Sequence, residues 1–78
     1  MRYFFHFREK NGFVADEEGL ELDGDQDAFA AARAGARSLI ASEVLKGHLP
    51  LATVVEVVDG DGNHILDLPF RDVVELDG

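Results

Sequence analysis

Residues 26–46 read QDAFAAARAGARSLIASEVLK, and this is the only stretch of the sequence long and regular enough to form a full helix. Its apolar residues recur at the three- and four-residue spacing of one helix face. That face comprises Phe29, Ala32, Ala36, Leu39, Ile40 and Val44. The alanines predict close approach to a covering surface, and the larger side chains are expected to fill the two ends of the contact.

Both ends of this helix are marked in the sequence. Three aspartates, at positions 23, 25 and 27, place negative charge at the positive end of the helix dipole. Asp23 and Gln26 are spaced like a capping box. At the other end Gly47 can adopt the left-handed conformation that terminates helices, and Pro50 prevents continuation.

The chain before the helix has the two-residue period of a half-buried strand over residues 2–8. One row of this strand is apolar and is expected to face the core: Tyr3, Phe5 and Phe7. The opposite row is Arg2, Phe4, His6 and Arg8. Asn11-Gly12 is a strong hairpin signal, so residues 13–15 are predicted to return antiparallel to the first strand. Residues 20–22 are expected to form a short extended piece before the helix.

The chain after the helix predicts a second antiparallel pair. Residues 53–58 are mostly β-branched and resemble an inner strand, residues 59–63 form a turn, and residues 65–68 return. Pro69 is expected to end that pairing. Residues 73–76 are interpreted as an edge strand, although a helical turn within residues 69–78 stays open.

These elements predict an α+β fold in which a single helix packs on one face of a mainly antiparallel sheet. The predicted element order is β-β-α-β-β, with one further strand if residues 73–76 pair. Residues 1–78 are expected to form one small domain, because a chain of this length supports a single modest core.

The composition limits the classes of function. Seven basic and sixteen acidic residues give a formal charge of −9, which disfavours nucleic acid and anionic lipid as partners. The sequence contains no cysteine, so neither a disulfide nor a thiolate metal site is expected. Because the sequence has no long apolar run, we expect neither a signal peptide nor a membrane span, and the expected localisation is cytoplasmic.

Several short motifs together resemble a known family. These are the start Arg-Tyr-Phe-Phe-His at residues 2–6, Asp-Glu-Glu-Gly at residues 16–19, and Leu-Pro-Phe at residues 68–70. As a set they resemble a family of very short bacterial proteins, common in rhizobia and their relatives and classed as a domain of unknown function. The resemblance covers nearly the whole chain and implies a bacterial cytosolic setting, with no activity or cofactor attached.

A looser similarity extends over the first half of the chain. The order of hairpin, acidic glycine loop and alanine-rich helix is similar to that of antitoxins that pair with small messenger-cleaving toxins. That similarity implies neutralisation of a small basic toxin. The sequence shows no DNA-binding helix-turn-helix of the kind such antitoxins carry.

No motif in the sequence predicts catalysis, a metal or a cofactor. Residues 59–63, Asp-Gly-Asp-Gly-Asn, begin like a calcium loop, but His64 and Phe70 occupy the positions where that loop needs glycine and glutamate. We therefore interpret them as a hairpin turn and leave weak calcium binding open. The three histidines have no metal-site spacing, and no hydroxyl residue lies in a nucleophile motif. The expectation is a non-enzymatic protein with neither cofactor nor metal.

Two groups of residues are candidates for an interaction surface. The first is the outer row of strand one, Arg2, Phe4, His6 and Arg8, and the second is the helix pair Arg33 and Arg37. The leading hypothesis is a protein-interaction module that self-associates, as a homodimer for example, or docks to a basic protein. One alternative is weak single-stranded RNA binding through the outer row, and the other is antitoxin-like neutralisation of a small basic toxin.

Overall fold

The computed structural model describes residues 1–75 and 77 and contains one helix and five strands. The strands are β1 (Arg2–Glu9), β2 (Gly12–Val14), β3 (Leu20–Glu21), β4 (Val54–Asp59) and β5 (His64–Pro69). The helix is α1 (Asp25–Leu45), and a 3₁₀ turn occupies Phe70–Asp72. This confirms the predicted α+β fold with strand-strand-helix-strand-strand order.

All strand pairs are antiparallel, and four strands lie in the order β2-β1-β4-β5. The predicted hairpin is confirmed, but Glu9 is opposite Gly12, so the two turn residues are Lys10 and Asn11, one position before the predicted Asn11-Gly12. Strand β3 pairs with the start of β1, on the edge that β2 also uses. The predicted inner strand is β4, which lies between β1 and β5.

The core lies between α1 and one face of the sheet. Alternation along the strands puts Tyr3 of β1 and Val55 and Val57 of β4 on that face, where all three are buried. The other buried hydrophobic residues are Ala28, Ala32, Ala36, Ile40, Leu68, Phe70 and Val73. Phe5 and Phe7 pack against this cluster and are partly buried, as the alternation predicted.

The predicted buried face of the helix is partly wrong. Ala32, Ala36 and Ile40 are buried as expected, but Phe29 is 38% and Val44 50% exposed. Residues four apart rotate about 40° around the helix axis per step, so the line that starts at Ala28 has turned well away from the sheet by position 44. The Phe29 ring instead lies under the guanidinium of Arg33, 5.0 Å from ring centroid to carbon.

The two helix ends differ in how well the sequence predicted them. Gly24 is the N-cap, with no side-chain hydrogen bond, so the predicted capping box of Asp23 and Gln26 does not form. The helix starts at Asp25, which leaves Asp23 outside the cap position. The glycine terminus is confirmed: Gly47 has φ +83°, and its N–H donates to the Val44 carbonyl at 2.9 Å.

The predicted final edge strand is not present in residues 73–75, and Leu76 lies outside the described residues. Pro69 pairs with Val54 and is the last residue of β5, so the pairing ends there as expected. After it Phe70 turns into the core, fully buried, and its N–H donates to the Thr53 carbonyl at 2.8 Å. Phe70 is the first residue of the 3₁₀ turn Phe70–Asp72, so a helical turn is the alternative observed in the described part of this segment.

Candidate functional site

The sheet face opposite α1 carries most of the candidate residues, and we call it the open face. Directly opposed residues in an antiparallel sheet point to the same side, so the strand register defines its members. They are Arg2, Phe4, His6 and Arg8 of β1, Phe13 of β2, Glu21 of β3, Val54, Glu56 and Val58 of β4, and His64, Asp67 and Pro69 of β5. The structure therefore brings the predicted outer row together with residues from all the other strands.

An aromatic row crosses the open face. The rings of Phe4 and His6 are stacked, with centroids 6.5 Å apart and planes 13° apart. The ring of Phe13 tilts against His6 at a centroid distance of 5.4 Å. Phe4 and His6 are half-buried, whereas Phe13 is 54% exposed. Rigid aromatic side chains exposed in a cluster are typical of binding surfaces.

Ion pairs lie beside the aromatic row. Arg8 Nη1 lies 3.0 Å from Glu56 Oε2, and Arg8 Nη2 lies 3.5 Å from Asp67 Oδ2. His64 Nε2 lies 2.9 Å from Asp67 Oδ1. The hydrogen bond from His64, assisted by the charge of Arg8, lowers the pKa of Asp67. The Arg8 guanidinium thus already contacts two carboxylates within its own fold.

The loop at Asp16 fixes the edge of the open face. Asp16 fills the gap between β2 and β3, where its Oδ2 accepts the N–H of Phe5 at 3.1 Å. Its Oδ1 accepts the N–H of Glu18 at 3.2 Å and of Gly19 at 3.1 Å. Burial alone would raise the pKa of Asp16, but these backbone hydrogen bonds outweigh it and lower the pKa. The Asp16 N–H donates to His6 Nδ1 at 2.9 Å, which orients the central ring of the aromatic row.

The remaining candidate arginines have structural contacts. Arg2 Nη1 donates to the Glu18 carbonyl at 2.7 Å, and Arg2 Nη2 lies 3.7 Å from Glu21. On the other side of the sheet Arg37 Nε donates to the Val73 carbonyl at 2.7 Å. Because Arg33 and Arg37 lie on α1, the structure separates them from the outer row of strand one. The six candidates do not form one surface.

Sequence reasoning found the members of the open face on β1 and missed those on the other strands, among them the three that contact His6 or Arg8: Phe13, Glu56 and Asp67. One signal could have found Phe13: a two-residue Lys10-Asn11 turn fixes the hairpin register, and that register places position 13 opposite Arg8. Glu56 and Asp67 carry no such signal, because the order of β1, β4 and β5 in the sheet is set by contacts far apart in the sequence.

The turn at residues 59–63, for which weak calcium binding was left open, is organised by its own aspartate. Asp59 Oδ1 accepts the backbone N–H groups of Asp61 and Asn63, both at 2.9 Å, and Asp59 Oδ2 accepts Asn63 Nδ2 at 3.1 Å. These bonds, those from Asn63 first, lower the pKa of Asp59. Among the described residues no group of three or more histidine, aspartate or glutamate side chains is placed to hold a metal ion.

A cleft of about 540 Å³ lies at the end of the domain where α1 ends. Its apolar lining includes Leu39, Leu51 and Phe70, with Lys10 and His48 among the polar lining residues. His48 Nδ1 lies 3.4 Å from a Glu43 carboxylate oxygen.

Among the described residues there is no helix that is both long enough and apolar enough to cross a membrane.

Comparison with known proteins gives one match. Residues 2–71 match the family model described as Domain of unknown function (DUF6894), so the chain belongs to this family. No curated protein and no solved structure is significantly similar to the chain. The predicted membership in a family without an assigned function is thereby confirmed.

Proposed function

We propose that this member of the DUF6894 family is a non-enzymatic cytoplasmic module that acts by protein contact through its open face. The observation that carries the proposal is the uncovered aromatic row of Phe4, His6 and Phe13. Helix α1 packs on the other side of the sheet, and Phe13 is left 54% exposed at the centre of a hairpin. An exposed apolar cluster bordered by polar groups is the usual anatomy of a protein interface.

Rigidity of the open face supports the same function. The His6 ring is oriented by the Asp16 N–H, and Arg8 is oriented by Glu56 and Asp67. A surface whose side chains are already ordered loses little conformational entropy on binding. The aromatic anchors are therefore preorganised for a partner of complementary shape.

Single-stranded RNA is the second candidate, because the stacked rings of Phe4 and His6 could serve as a platform for bases. Charge argues against it. The guanidinium of Arg8 is engaged by two carboxylates and that of Arg2 by Glu18 and Glu21, and the chain as a whole carries −9. Phosphate contacts supply most of the affinity of such proteins, and here those contacts would have to displace existing pairs. Antitoxin-like neutralisation of a basic toxin is a special case of protein contact.

The test is native capture of the tagged protein from a lysate of its own host, with and without nuclease. Three forms are compared: the wild type, Phe13→Glu on the open face, and Leu45→Glu on α1. Leu45 is 90% exposed, so the two variants add the same charge at exposed apolar positions, and only one alters the open face. We expect the wild type to capture protein, whether another protein or untagged copies of this chain, and nuclease should not reduce the amount captured. Phe13→Glu should lose this capture, and Leu45→Glu should keep it.

Two results would contradict the proposal. Recovery of RNA that disappears with nuclease and with Phe13→Glu would replace protein contact by RNA binding. Equal recovery of protein by the wild type and Phe13→Glu would show that contact does not use the open face.

A further inference from the structure

We infer that the open face takes a second copy of this chain, in a face-to-face dimer with two-fold symmetry. This inference rests on the proposed function and names the partner of that same surface. Three features of the open face carry it: its charge balance, its apolar centre and its size. In a two-fold dimer the same patch meets itself, so the patch must be complementary to itself.

The charges of the open face nearly cancel. It carries two arginines, Arg2 and Arg8, against the three carboxylates of Glu21, Glu56 and Asp67. The N-terminal amine also lies 2.9 Å from Glu21. Nearly all of the chain's charge of −9 therefore lies elsewhere on its surface. Two copies can bring this face together without opposing like charges, whereas a strongly basic partner would be drawn to other parts of the molecule.

The distribution of charge also gives the face complementary parts. The cation Arg8 and the anion Asp67 lie on different strands, with β4 between them, and the aromatic row lies on the side of β1 and β2. A two-fold axis that lies between the two faces, parallel to the strands, sets the β2 edge of one copy opposite the β5 edge of the other. Each copy then presents the carboxylates of β4 and β5 to the arginine side of the other, and the apolar residues of the inner strands, Phe4, Val54 and Val58, lie next to the axis.

The size of the open face suits a small dimer. The five strands have 8, 3, 2, 6 and 6 residues, and at about 3.3 Å per residue and about 4.8 Å between strands they cover roughly 400 Å² in projection. Side-chain relief increases the accessible area beyond that projection. Standard interfaces bury about 800 Å² per partner, so this face suits a contact of the smaller, weaker class. We expect a reversible dimer with a dissociation constant in the micromolar range.

The dependence on salt separates a second copy from a partner of opposite charge. Two chains of −9 repel each other at long range, and salt screens that repulsion over a Debye length that shrinks from about 30 Å at 0.01 M to about 8 Å at 0.15 M. The dimer should therefore tighten as salt rises. Contact with a basic protein or with RNA should weaken under the same change.

The experiment is sedimentation equilibrium of the purified full chain from about 1 µM to about 500 µM, at about 10 mM and about 300 mM NaCl. We expect the wild-type dissociation constant to fall about tenfold between the two salt concentrations. Phe13→Glu should raise it at least about tenfold, because it replaces an aromatic ring of the contact by a charge that faces the carboxylate side of the other copy. Leu45→Glu, with the same added charge, should change it by less than about threefold.

A second measurement identifies the surface without a variant. A soluble nitroxide broadens the amide NMR signals of exposed residues, and the broadening is compared at low and high protein concentration. Protection at high concentration should be confined to the open-face residues of β1, β2 and β4. Circular dichroism of each variant confirms that it folds, and this NMR comparison tests the inference on the wild type alone.

The possible results separate the inference from the proposed function. The wild type could stay monomeric at both salt concentrations and still capture another protein that Phe13→Glu does not capture. That result would refute the dimer and leave the proposed protein contact standing. A monomer that captures nothing from lysate would overturn both. A dimer weakened by Leu45→Glu and not by Phe13→Glu, or protected on α1, would place the contact at the helix and refute the inference.

Discussion

Replacement of Gly19 by alanine is the sharpest test of how the Asp16 loop is built. Gly19 has φ +72°, a left-handed conformation that costs alanine about 1–2 kcal/mol. A Cβ there would lie 2.8 Å from the Tyr3 carbonyl oxygen and 2.9 Å from both an Arg2 and a Phe4 side-chain carbon. The carbonyl belongs to β1 and cannot move freely, so overpacking adds about 1–3 kcal/mol. The expected loss of unfolding free energy is about 2–5 kcal/mol.

The same substitution at two other glycines provides internal controls. Gly47 has φ +83°, and a Cβ added there would have no neighbouring atom within 4 Å, so Gly47→Ala should cost only the conformational part, about 1–2 kcal/mol. Gly35 lies inside α1 with similarly open space, so Gly35→Ala should stabilise by about 1 kcal/mol. The mid-helix glycine thus reflects a tolerated cost, since no neighbouring backbone approaches it within the described chain.

Thermal unfolding followed by circular dichroism measures the series. For 78 residues about 1 kcal/mol corresponds to about 6 °C in Tm. We expect Tm to fall by about 12–30 °C for Gly19→Ala and about 6–12 °C for Gly47→Ala, and to rise by about 6 °C for Gly35→Ala. A Gly19→Ala variant no less stable than Gly47→Ala would refute the close packing of the loop against β1.

Three further predictions concern the core and the pH dependence of stability. Ala36→Leu should lower the unfolding free energy by about 1–3 kcal/mol, because Ala36 is fully buried on the face of α1 that packs on the sheet. An unchanged urea midpoint would contradict this packing. The hydrogen bond from Tyr3 Oη to Asp25 at 2.7 Å, followed by burial and nearby carboxylates, raises the pKa of Tyr3 to about 12. The resulting stabilisation of the fold is present below pH 10 and is lost as pH rises through about 12. Tyr3→Phe should therefore flatten the alkaline limb of a plot of unfolding free energy against pH. The pKa of Asp59 is lowered, so the stabilisation that this carboxylate gives the fold is present above its ordinary pKa near 4 and is lost as pH falls through the lower pKa of the folded state. Asp59→Asn should make the acid limb of the same plot less steep. Parallel acid limbs for variant and wild type would exclude this role.

The agreement between sequence and structure is best where the signal is local. The alternation of residues 2–8 and the Asn11-Gly12 turn predicted β1, β2 and their pairing, because strand period and turn chemistry depend on neighbours in the chain. The end of α1 at Gly47 was predicted for the same reason. Burial of Phe29 and Val44 was predicted wrongly, because helix periodicity gives an apolar stripe without showing how much of it the sheet covers.

The candidate site was predictable in part. The outer row of β1 follows from alternation alone, and the structure places it on the open face. The separation of that row from Arg33 and Arg37 also follows from the alternation, because the apolar row of β1 faces α1, which carries both arginines. The 3₁₀ turn after β5 was undecided, since it depends on the burial of Phe70 against Phe7, whose ring centroid lies 6.1 Å away.

The sequence by itself determined the elements of this protein: one helix, two antiparallel pairs and an α+β class, each encoded by the spacing of apolar residues and by turn-forming glycines. Only the tertiary structure decided the neighbours of Arg8, which pairs with Glu56 and Asp67 from strands far along the chain. It also decided that Asp16 closes the gap opposite Phe5 and orients His6. The physical reason is that sheet order and register are set by the packing of the whole core, and a side chain's charge partners follow from that packing.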